Sequence, residues 1–223
     1  MTRYSAVLFD LDGTIVDSAP GITAALDYTF RQMGVRVPSP DRMLEWVGPP
    51  IMDSFRNLAG LDHAKSLQAL AIYREYYLAH GIADAHPYPG LPQLIRDLAS
   101  ARVPTSLATS KPEAPSRAIL DRLDLTGFFT EITGASEDET RSAKADVVAE
   151  ALRRLAADGA DVSRTVMIGD RRSDVEGAAE NDVPTIFVRW GYGSLAESAG
   201  AVATVSDAAA LRRALGFPPA SAT

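Results

Sequence analysis

Two pairs of aspartates each follow a short apolar run in this sequence. Asp10 and Asp12 come after Val-Leu-Phe, and Asp170 follows Val-Met-Ile-Gly, with Asp174 four residues further on. Each apolar run predicts a buried strand, and a lone aspartate at a strand end is usually a turn or cap residue. Two such pairs favour a joint site, because several carboxylates at close range remain ionised only where a cation compensates them.

Hydroxyl and ammonium groups complete this candidate site. Thr109, Ser110 and Lys111 follow the apolar Ser-Leu-Ala, and Lys144 begins a helical stretch. Oxygen ligands without a neighbouring histidine or cysteine favour Mg²⁺. A magnesium ion, a lysine and hydroxyl donors together form a pocket for a phosphoryl group, whose transfer depends on positioning and on neutralising charge.

The two aspartates of the first pair could have different chemical roles in such a pocket. Asp10 could be the nucleophile and form an aspartyl-phosphate. Asp12 could donate a proton to the leaving oxygen and later activate water as a base. Gly13 frees the backbone to turn away from the strand.

The residues that follow the first strand, Ala6 to Phe9, have a helical pattern. Ile22, Leu26 and Phe30 recur at a spacing of four residues, and Gly34 ends the first helix. Further helical stretches continue without a strand pattern to about residue 85. We therefore predict an all-helical cap over residues 17–85, inserted into a core made of residues 1–16 and 86–223.

Beyond residue 86 helical and apolar strand patterns alternate, which predicts an α/β fold with a Rossmann-like parallel sheet core. The predicted strands include Val-Pro-Thr-Ser-Leu-Ala-Thr, Phe-Phe-Thr-Glu-Ile-Thr-Gly, Thr-Val-Met-Ile-Gly and Thr-Ile-Phe-Val. In such sheets ligands bind outside the carboxyl ends of the strands, and the polar clusters fall at these ends.

The composition excludes several classes of protein. The chain has 223 residues, 46% of them hydrophobic, and a net charge of −7, which argues against a nucleic-acid or membrane-surface binder. The absence of cysteine excludes disulfides and thiolate chemistry. Without a long apolar run or a signal-peptide pattern, we expect a soluble cytoplasmic protein, either monomer or homodimer. The last eight residues, Gly-Phe-Pro-Pro-Ala-Ser-Ala-Thr, predict a frayed end.

Four motifs resemble those of the haloacid dehalogenase superfamily of phosphatases: Asp-Leu-Asp-Gly-Thr at 10–14, the threonine that ends Leu-Ala-Thr, Lys144, and Gly-Asp-Arg-Arg-Ser-Asp at 169–174. The resemblance implies that Asp10 is the nucleophile and Asp12 the general acid and base. It also implies a set of ligands: Thr109, Ser110 and Lys144 for the phosphoryl oxygens, Asp10, the Asp12 backbone carbonyl and Asp170 for Mg²⁺, with Asp174 in support. Asp12 argues against dehalogenation, because members that cleave carbon–halogen bonds lack the second aspartate.

Other segments resemble a 5′-nucleotidase-like and phosphoglycolate phosphatase-like branch, which implies a small phosphometabolite as substrate. Ala145 departs from the proline common in phosphoglycolate phosphatases, so the leaving group stays open. One alternative is a phosphotransferase, either a phosphomutase or a protein-tyrosine kinase-like enzyme, that uses the same aspartate nucleophile. Another is a non-catalytic regulator, which would have no need of Asp12.

Several further residues have two readings. For Lys111 a contact in the pocket and a position as a solvated loop lysine are equally compatible with the sequence. For Arg141 the sequence favours a structural ion pair. Arg74, on a predicted cap helix, favours the outer charged face over a contact with the leaving group. Trp190 and Tyr192 favour ordinary packing over stacking on a ligand.

Overall fold

The computed structural model describes residues 3–138 and 140–217. The strands are β1 Ala6–Phe9, β2 Val16–Asp17, β3 His86–Pro87, β4 Thr105–Pro112, β5 Glu131–Ala135, β6 Thr165–Gly169, β7 Thr185–Val188 and β8 Ala203–Val205. The α-helices are α1 Ala19–Met33, α2 Pro40–Met43, α3 Ile51–Asn57, α4 His63–Ala79, α5 Leu91–Ser100, α6 Glu113–Arg122, α7 Lys144–Ala157, α8 Arg172–Ala179 and α9 Ala208–Ala214.

Six of the strands form a parallel sheet in the order β5-β4-β1-β6-β7-β8. The chain builds outward from β1 on one side and then crosses to the other side, so the order reverses at β1. Val7 pairs with Thr105 on one side and with Val166 on the other. A reversal of this kind opens a crevice at the carboxyl ends of the central strands. The predicted α/β fold is confirmed.

Alternate residues of β1 face two separate apolar layers. Val7 and Phe9 belong to a cluster that includes residues of α5, α6 and α9. Ala6 and Leu8 belong to a second cluster with residues of α7 and α8. Because both faces of β1 are covered, the strand is apolar throughout and has no polar side chain before Asp10.

The residues between β2 and β3 pack a third apolar cluster among themselves. Pro20 lies in the first turn of α1, where its missing N–H costs no hydrogen bond. Gly34 ends α1 in the left-handed conformation with φ 63°. Phe30 meets Trp46 and Phe55 edge to face at centroid distances of 5.2 and 6.2 Å, and each buried aromatic ring of this kind adds about 1.5–3 kcal/mol.

A two-stranded antiparallel ribbon connects this helical segment to the sheet. Val16 pairs with Pro87 and Asp17 with His86. The sequence predicts helix from residue 17 onward, and this detail is wrong, because a strand of two residues has no periodicity to detect. The exact division of the chain into core and cap domains stays a prediction.

Two other boundaries differ from the predicted ones. The strand predicted from Phe128 begins at Glu131, since Thr126–Phe128 form a 3₁₀ turn. Strand β4 continues to Pro112 with a register shift after Thr109. Most of the predicted frayed end, residues 218–223, lies outside the described residues. None of the helices in the described ranges combines the length and apolar composition needed to cross a membrane.

Candidate active site

Lys144 joins two of the predicted site aspartates. Asp10, 3% exposed, follows β1 directly. The Lys144 ammonium, from the first residue of α7, lies 2.8 Å from Asp10 Oδ1 and 2.7 Å from Asp174 Oδ1. It also donates a hydrogen bond of 3.0 Å to the carbonyl of Ala108 in β4. The lysine therefore bridges the ends of β1 and β4 and the start of α8.

The second aspartate pair is held by different donors. Asp170 follows β6, and its Oδ1 accepts a hydrogen bond of 3.2 Å from the Thr14 hydroxyl. Its Oδ2 accepts one of 2.7 Å from the backbone N–H of Tyr192. Asp174 lies in the first turn of α8, where its Oδ2 accepts the Arg171 N–H at 2.9 Å. Both oxygens of Asp174 thus have partners, which fits the supporting position predicted for it.

A divalent cation fits this group of carboxylates. Oxygens of Asp10, Asp170 and Asp174 lie within 4.8 Å of one another, and all three residues are buried. Together with Asp12 they make four carboxylates beside two ammonium groups, those of Lys111 and Lys144, and one divalent cation would balance the remaining two charges. The donors are all oxygen, which suits Mg²⁺.

The glycines around Asp170 keep this pocket open. A Cβ atom on Gly13, which has φ 82°, would lie 2.5 Å from Asp170 Oδ2. A Cβ atom on Gly191 would overlap the same oxygen. The absence of side chains at both positions lets the backbone lie close to the carboxylate.

The electrostatics also favour a bound cation. Burial raises the pKa of Asp10 to about 6, against the lowering effect of Lys144, and the neighbouring Asp174 and Asp12 raise it further. Burial, together with Asp174 and Asp10, raises the pKa of Asp170 well above its usual value. Burial lowers the pKa of Lys144, but Asp10 and Asp174 outweigh it, so that pKa is raised. Without a metal these carboxyl groups therefore take up a proton at a higher pH than ordinary aspartates do.

Asp12 has partners of its own. Its Oδ2 lies 2.8 Å from the Lys111 ammonium, and its Oδ1 accepts a hydrogen bond of 2.6 Å from the Ser18 hydroxyl. The Lys111 ammonium also lies 4.6 Å from the centroid of the Tyr77 ring, on α4. Of the two readings of Lys111, the structure supports the pocket contact.

Thr109 and Ser110 lie beside these groups at the end of β4. The Thr109 hydroxyl accepts a hydrogen bond of 3.3 Å from the Lys111 N–H. The register shift that follows Thr109 takes Ser110 out of the regular ladder, and Ser110 lines a cavity next to the site. The structure brings all the predicted site residues together around the carboxyl ends of β1, β4 and β6 and the first turns of α7 and α8. Their roles stay predictions.

The cavity next to the site has a volume of about 110 Å³ and lies between the helical segment and the sheet. Its sheet side includes Asp12, Ser110 and Lys111, and its helical side includes Trp46, Tyr73 and Tyr77. Arg74 also lines the cavity and lies 3.5 Å from the Glu137 carbonyl, so its predicted outer-face position is wrong. The prediction for Arg141 is confirmed, because it lies 3.0 Å from Glu113 in an ion pair.

Sequence reasoning missed the contacts of Tyr192. Its hydroxyl donates to Asp17 Oδ1 at 2.8 Å and accepts the N–H groups of Ser18 and Ala19 at 2.8 and 3.0 Å. Since its own N–H binds Asp170, Tyr192 connects the carboxylate cluster to the start of α1. A loop tyrosine gives no periodic signal that would reveal such contacts.

Arg171 makes a second unpredicted connection. Its guanidinium donates a hydrogen bond of 2.8 Å to the carbonyl of Val47 in the helical segment. It also forms an ion pair of 3.1 Å with Glu197. The helical segment therefore contacts the α/β part of the chain beside α8, in addition to its connection through the ribbon of β2 and β3.

Comparison with known proteins agrees with this geometry. The model of the haloacid dehalogenase-like hydrolase family matches residues 7–188. The chain is 40% identical over 187 residues to a protein of Mycobacterium tuberculosis named tyrosine-protein kinase PtkA, covering 84% of this chain and 62% of that protein. It is 33% identical to a 5′-nucleotidase of Pseudomonas aeruginosa, covering 96% of each.

Further relatives are named phosphoglycolate phosphatase. Among solved structures, a "predicted phosphatase" from Clostridium acetobutylicum superimposes with a TM-score of 0.88 at 35% identity, covering 95% of this chain and 97% of the other. The chain thus spans nearly the full length of some relatives but less than two thirds of the mycobacterial ones.

Proposed function

Since this chain belongs to the haloacid dehalogenase-like hydrolase family, we propose that it is a Mg²⁺-dependent phosphomonoester hydrolase that works through an aspartyl-phosphate. The predicted substrates are small phosphometabolites of the nucleoside monophosphate or phosphoglycolate type. Relatives with names of both types support this range.

One observation carries the proposal. Of the two aspartates that follow β1, Asp12 lines the cavity, and Asp10 lies in the carboxylate cluster beside Lys144. A proton donor must face the leaving group, whereas a nucleophile must face the phosphorus and the cations that neutralise its oxygens. The two carboxylates have the separate surroundings that these two roles demand.

The proposed reaction has two steps. First, a carboxylate oxygen of Asp10 attacks phosphorus, the bond from phosphorus to the leaving oxygen breaks, and Asp12 gives that oxygen its proton. Second, Asp12 takes a proton from water, the water oxygen attacks phosphorus, and the bond from phosphorus to Asp10 breaks. Phosphate leaves, and both side chains return to their starting protonation states.

The remaining residues position the reacting groups. The Lys144 ammonium contacts Asp10 and would neutralise the phosphoryl oxygens. The hydroxyls of Thr109 and Ser110 would donate hydrogen bonds to the same oxygens. Ser18 and Lys111 fix the Asp12 carboxyl group at the end of the cavity. Asp10, Asp170 and the Asp12 backbone carbonyl would hold Mg²⁺, which supplies charge neutralisation at the phosphoryl group when bound.

Phosphate release from a panel of phosphomonoesters tests the proposal. The panel contains nucleoside monophosphates, phosphoglycolate, sugar phosphates and phosphotyrosine, each with Mg²⁺ and with EDTA. We expect release on at least one class, lost with EDTA and reduced by at least about 10³-fold in Asp10→Asn. Asp53→Asn, at an exposed position of α3, is the matched control and should keep full activity.

Two outcomes would count against the proposal. Activity that persists in Asp10→Asn would exclude an aspartyl-phosphate intermediate at Asp10. If no substrate of the panel releases free phosphate and the phosphoryl group is transferred to a second hydroxyl instead, the result would favour the phosphotransferase alternative. The cytoplasmic location, the absence of nucleic-acid and membrane partners, and the oligomeric state stay predictions.

A further inference from the structure

The helical segment is built to move as one body relative to the sheet. It has an apolar cluster of its own, in which Phe30, Trp46 and Phe55 are buried. The chain enters and leaves it through the ribbon of β2 and β3, whose strands have two residues each. Short connections of this kind let a packed segment rotate unless further contacts fix it. The contacts that bridge the two parts therefore determine whether the cavity between them stays closed.

Arg171 supplies one of these bridging contacts. Its Nη1 donates a hydrogen bond of 2.8 Å to the carbonyl of Val47. A hydrogen bond from a guanidinium group at this distance is charge-assisted, and it is stronger than one between two neutral groups. Val47 itself is fully buried in the apolar cluster of the helical segment. A contact at its carbonyl therefore holds the segment as a whole.

The guanidinium group of Arg171 is also held from the α/β part of the chain. Its Nε lies 3.1 Å from Glu197 Oε2. The Glu197 carboxylate in turn accepts hydrogen bonds from the N–H groups of Arg172 and Ser194, at 3.2 and 3.0 Å. Because a guanidinium group presents its donors as a rigid fork, it can serve two partners at once. The arginine thus joins a fixed carboxylate on one side to the helical segment on the other.

The backbone of Arg171 belongs to the carboxylate site. Arg171 follows Asp170 directly, and its N–H donates a hydrogen bond of 2.9 Å to Asp174 Oδ2. The contact with Val47 therefore fixes the helical segment relative to the start of α8, where the carboxylates lie.

The loop that Arg171 contacts forms part of the cavity wall. Gly48 and Pro49 follow Val47 in the chain, and both line the cavity. A Cβ atom on Gly48, which has φ 106°, would lie 3.2 Å from Arg171 Cγ, so the glycine lets the arginine stem pass close to the loop. Asp12 lines the sheet side of the same cavity. The contact at Val47 thus sets how far this wall stands from Asp12.

From these observations we propose that Arg171 is a positioning residue, whose hydrogen bond to Val47 holds the helical segment in the closed arrangement over the cavity. Loss of this bond lowers the closed fraction of the protein. A ligand that needs the closed arrangement then binds with an apparent affinity reduced by the same fraction. The consequence for turnover rests on the proposed phosphatase, whereas the consequence for the closed arrangement does not.

A distance measurement tests the closed arrangement directly. The chain has no cysteine, so Asn57→Cys on α3 and Ala179→Cys on α8, both at exposed positions, place two spin labels for pulsed electron paramagnetic resonance. We expect one narrow distance distribution with Arg171 present. Arg171→Met should add a second, longer population and raise the ratio of open to closed protein by at least about fivefold.

The neighbouring arginine offers a matched control. Arg172 lies on the same helix, is 59% exposed and lies 4.0 Å from Glu176. We expect Arg172→Met to leave the ratio of open to closed protein within about twofold. The same distance distribution in Arg171→Met and Arg172→Met would overturn the inference.

A titration with Mg²⁺ separates this role from damage to the carboxylate site. Arg171→Met keeps Asp170, Asp174 and the backbone N–H between them, so we expect its Kd for Mg²⁺ to stay within about twofold, measured by calorimetry. A loss of about tenfold or more in Mg²⁺ affinity, without a change in the distances, would place the effect of Arg171 at the carboxylates and overturn the inference. Neither measurement requires turnover, so both are independent of whether the protein is a phosphatase.

Kinetics add a further test on any ester that the protein hydrolyses. Arg171→Met should raise KM by at least about fivefold while kcat stays within about twofold, because the bound complex can still close. A lowered kcat at unchanged KM would assign Arg171 to the groups that act on phosphorus and contradict its role in closure.

Discussion

The ammonium nitrogen of Lys144 lies 2.8 Å from a carboxylate oxygen of Asp10, although 134 residues separate them in the chain. Both side chains are almost fully buried, 4% exposed each. An ion pair under these conditions contributes little net stability, but loss of one partner leaves an uncompensated charge in the interior.

Lys144→Met should therefore destabilise the protein strongly in Mg²⁺-free buffer. We expect a loss of about 3–5 kcal/mol in the free energy of unfolding at pH 7.5, measured by urea denaturation. The loss should shrink near pH 5, since the raised pKa of Asp10 allows that carboxyl group to take up a proton. Lys65→Met, at an exposed position of α4, is the control and should change stability by less than about 0.5 kcal/mol. A loss that does not depend on pH would argue against carboxylate repulsion as its cause.

The affinity for Mg²⁺ should fall as the pH is lowered. The pKa of Asp10 is raised to about 6, and that of Asp170 is raised as well. Below these values the carboxyl groups are protonated, and protons compete with the metal for the same oxygens. We expect the apparent Kd for Mg²⁺ to rise by at least about tenfold between pH 6 and pH 5, since each competing proton contributes up to a factor of ten per pH unit, and calorimetry measures this rise. A Kd that stays constant between pH 7.5 and 5 would contradict this account of the site.

Gly13→Ala should abolish metal binding and activity. Its backbone has φ 82°, and the new methyl group would lie 2.5 Å from Asp170 Oδ2. Gly34→Ala is the matched control, because Gly34 also has positive φ, 63°, but has no atom within 4 Å of the new methyl group. We expect Gly34→Ala to cost only about 1–2 kcal/mol of stability and to keep the activity. Similar activity in the two variants would contradict the steric clash predicted between the new methyl group at residue 13 and the Asp170 carboxylate.

Tyr192→Phe should weaken the connection between the sheet and α1. The change removes the hydroxyl that binds Asp17 and the N–H groups of Ser18 and Ala19. It keeps the backbone N–H that binds Asp170. We expect a loss of about 1–3 kcal/mol in thermal or urea unfolding, together with Mg²⁺ affinity within twofold of the unaltered protein. Tyr28→Phe, at a residue 39% exposed on α1, serves as the control.

The sequence was sufficient for the family, for the fold and for the proximity of the candidate site residues to one another. Asp10, Lys144 and Asp170 could be placed together because each follows a strand or begins a helix of an alternating pattern, and parallel strands end at one edge of the sheet. The membership in the haloacid dehalogenase-like hydrolase family is confirmed. The roles of these residues stay predictions that the variants above can test.

The sequence was not sufficient for contacts that depend on irregular backbone. Ser18 and Tyr192 reach the site from a helix end and a loop, where no periodicity fixes the direction of a side chain. Lys111 could not be assigned because its position depends on the register shift after Thr109. The ribbon of β2 and β3 escaped detection because strands of two residues have no alternating pattern.

The same ribbon affects the order in which the chain can fold. Val7 in β1 pairs with Thr105 in β4, so the central sheet pairing must close a loop that contains the whole helical segment. Closing a long unstructured loop carries a large entropy cost, and non-local pairings of this kind slow folding. Because Asp17 and His86 lie side by side, a helical segment that folds early turns this long loop into a short one. The insertion between β1 and β4 would then speed the assembly of the sheet that it interrupts.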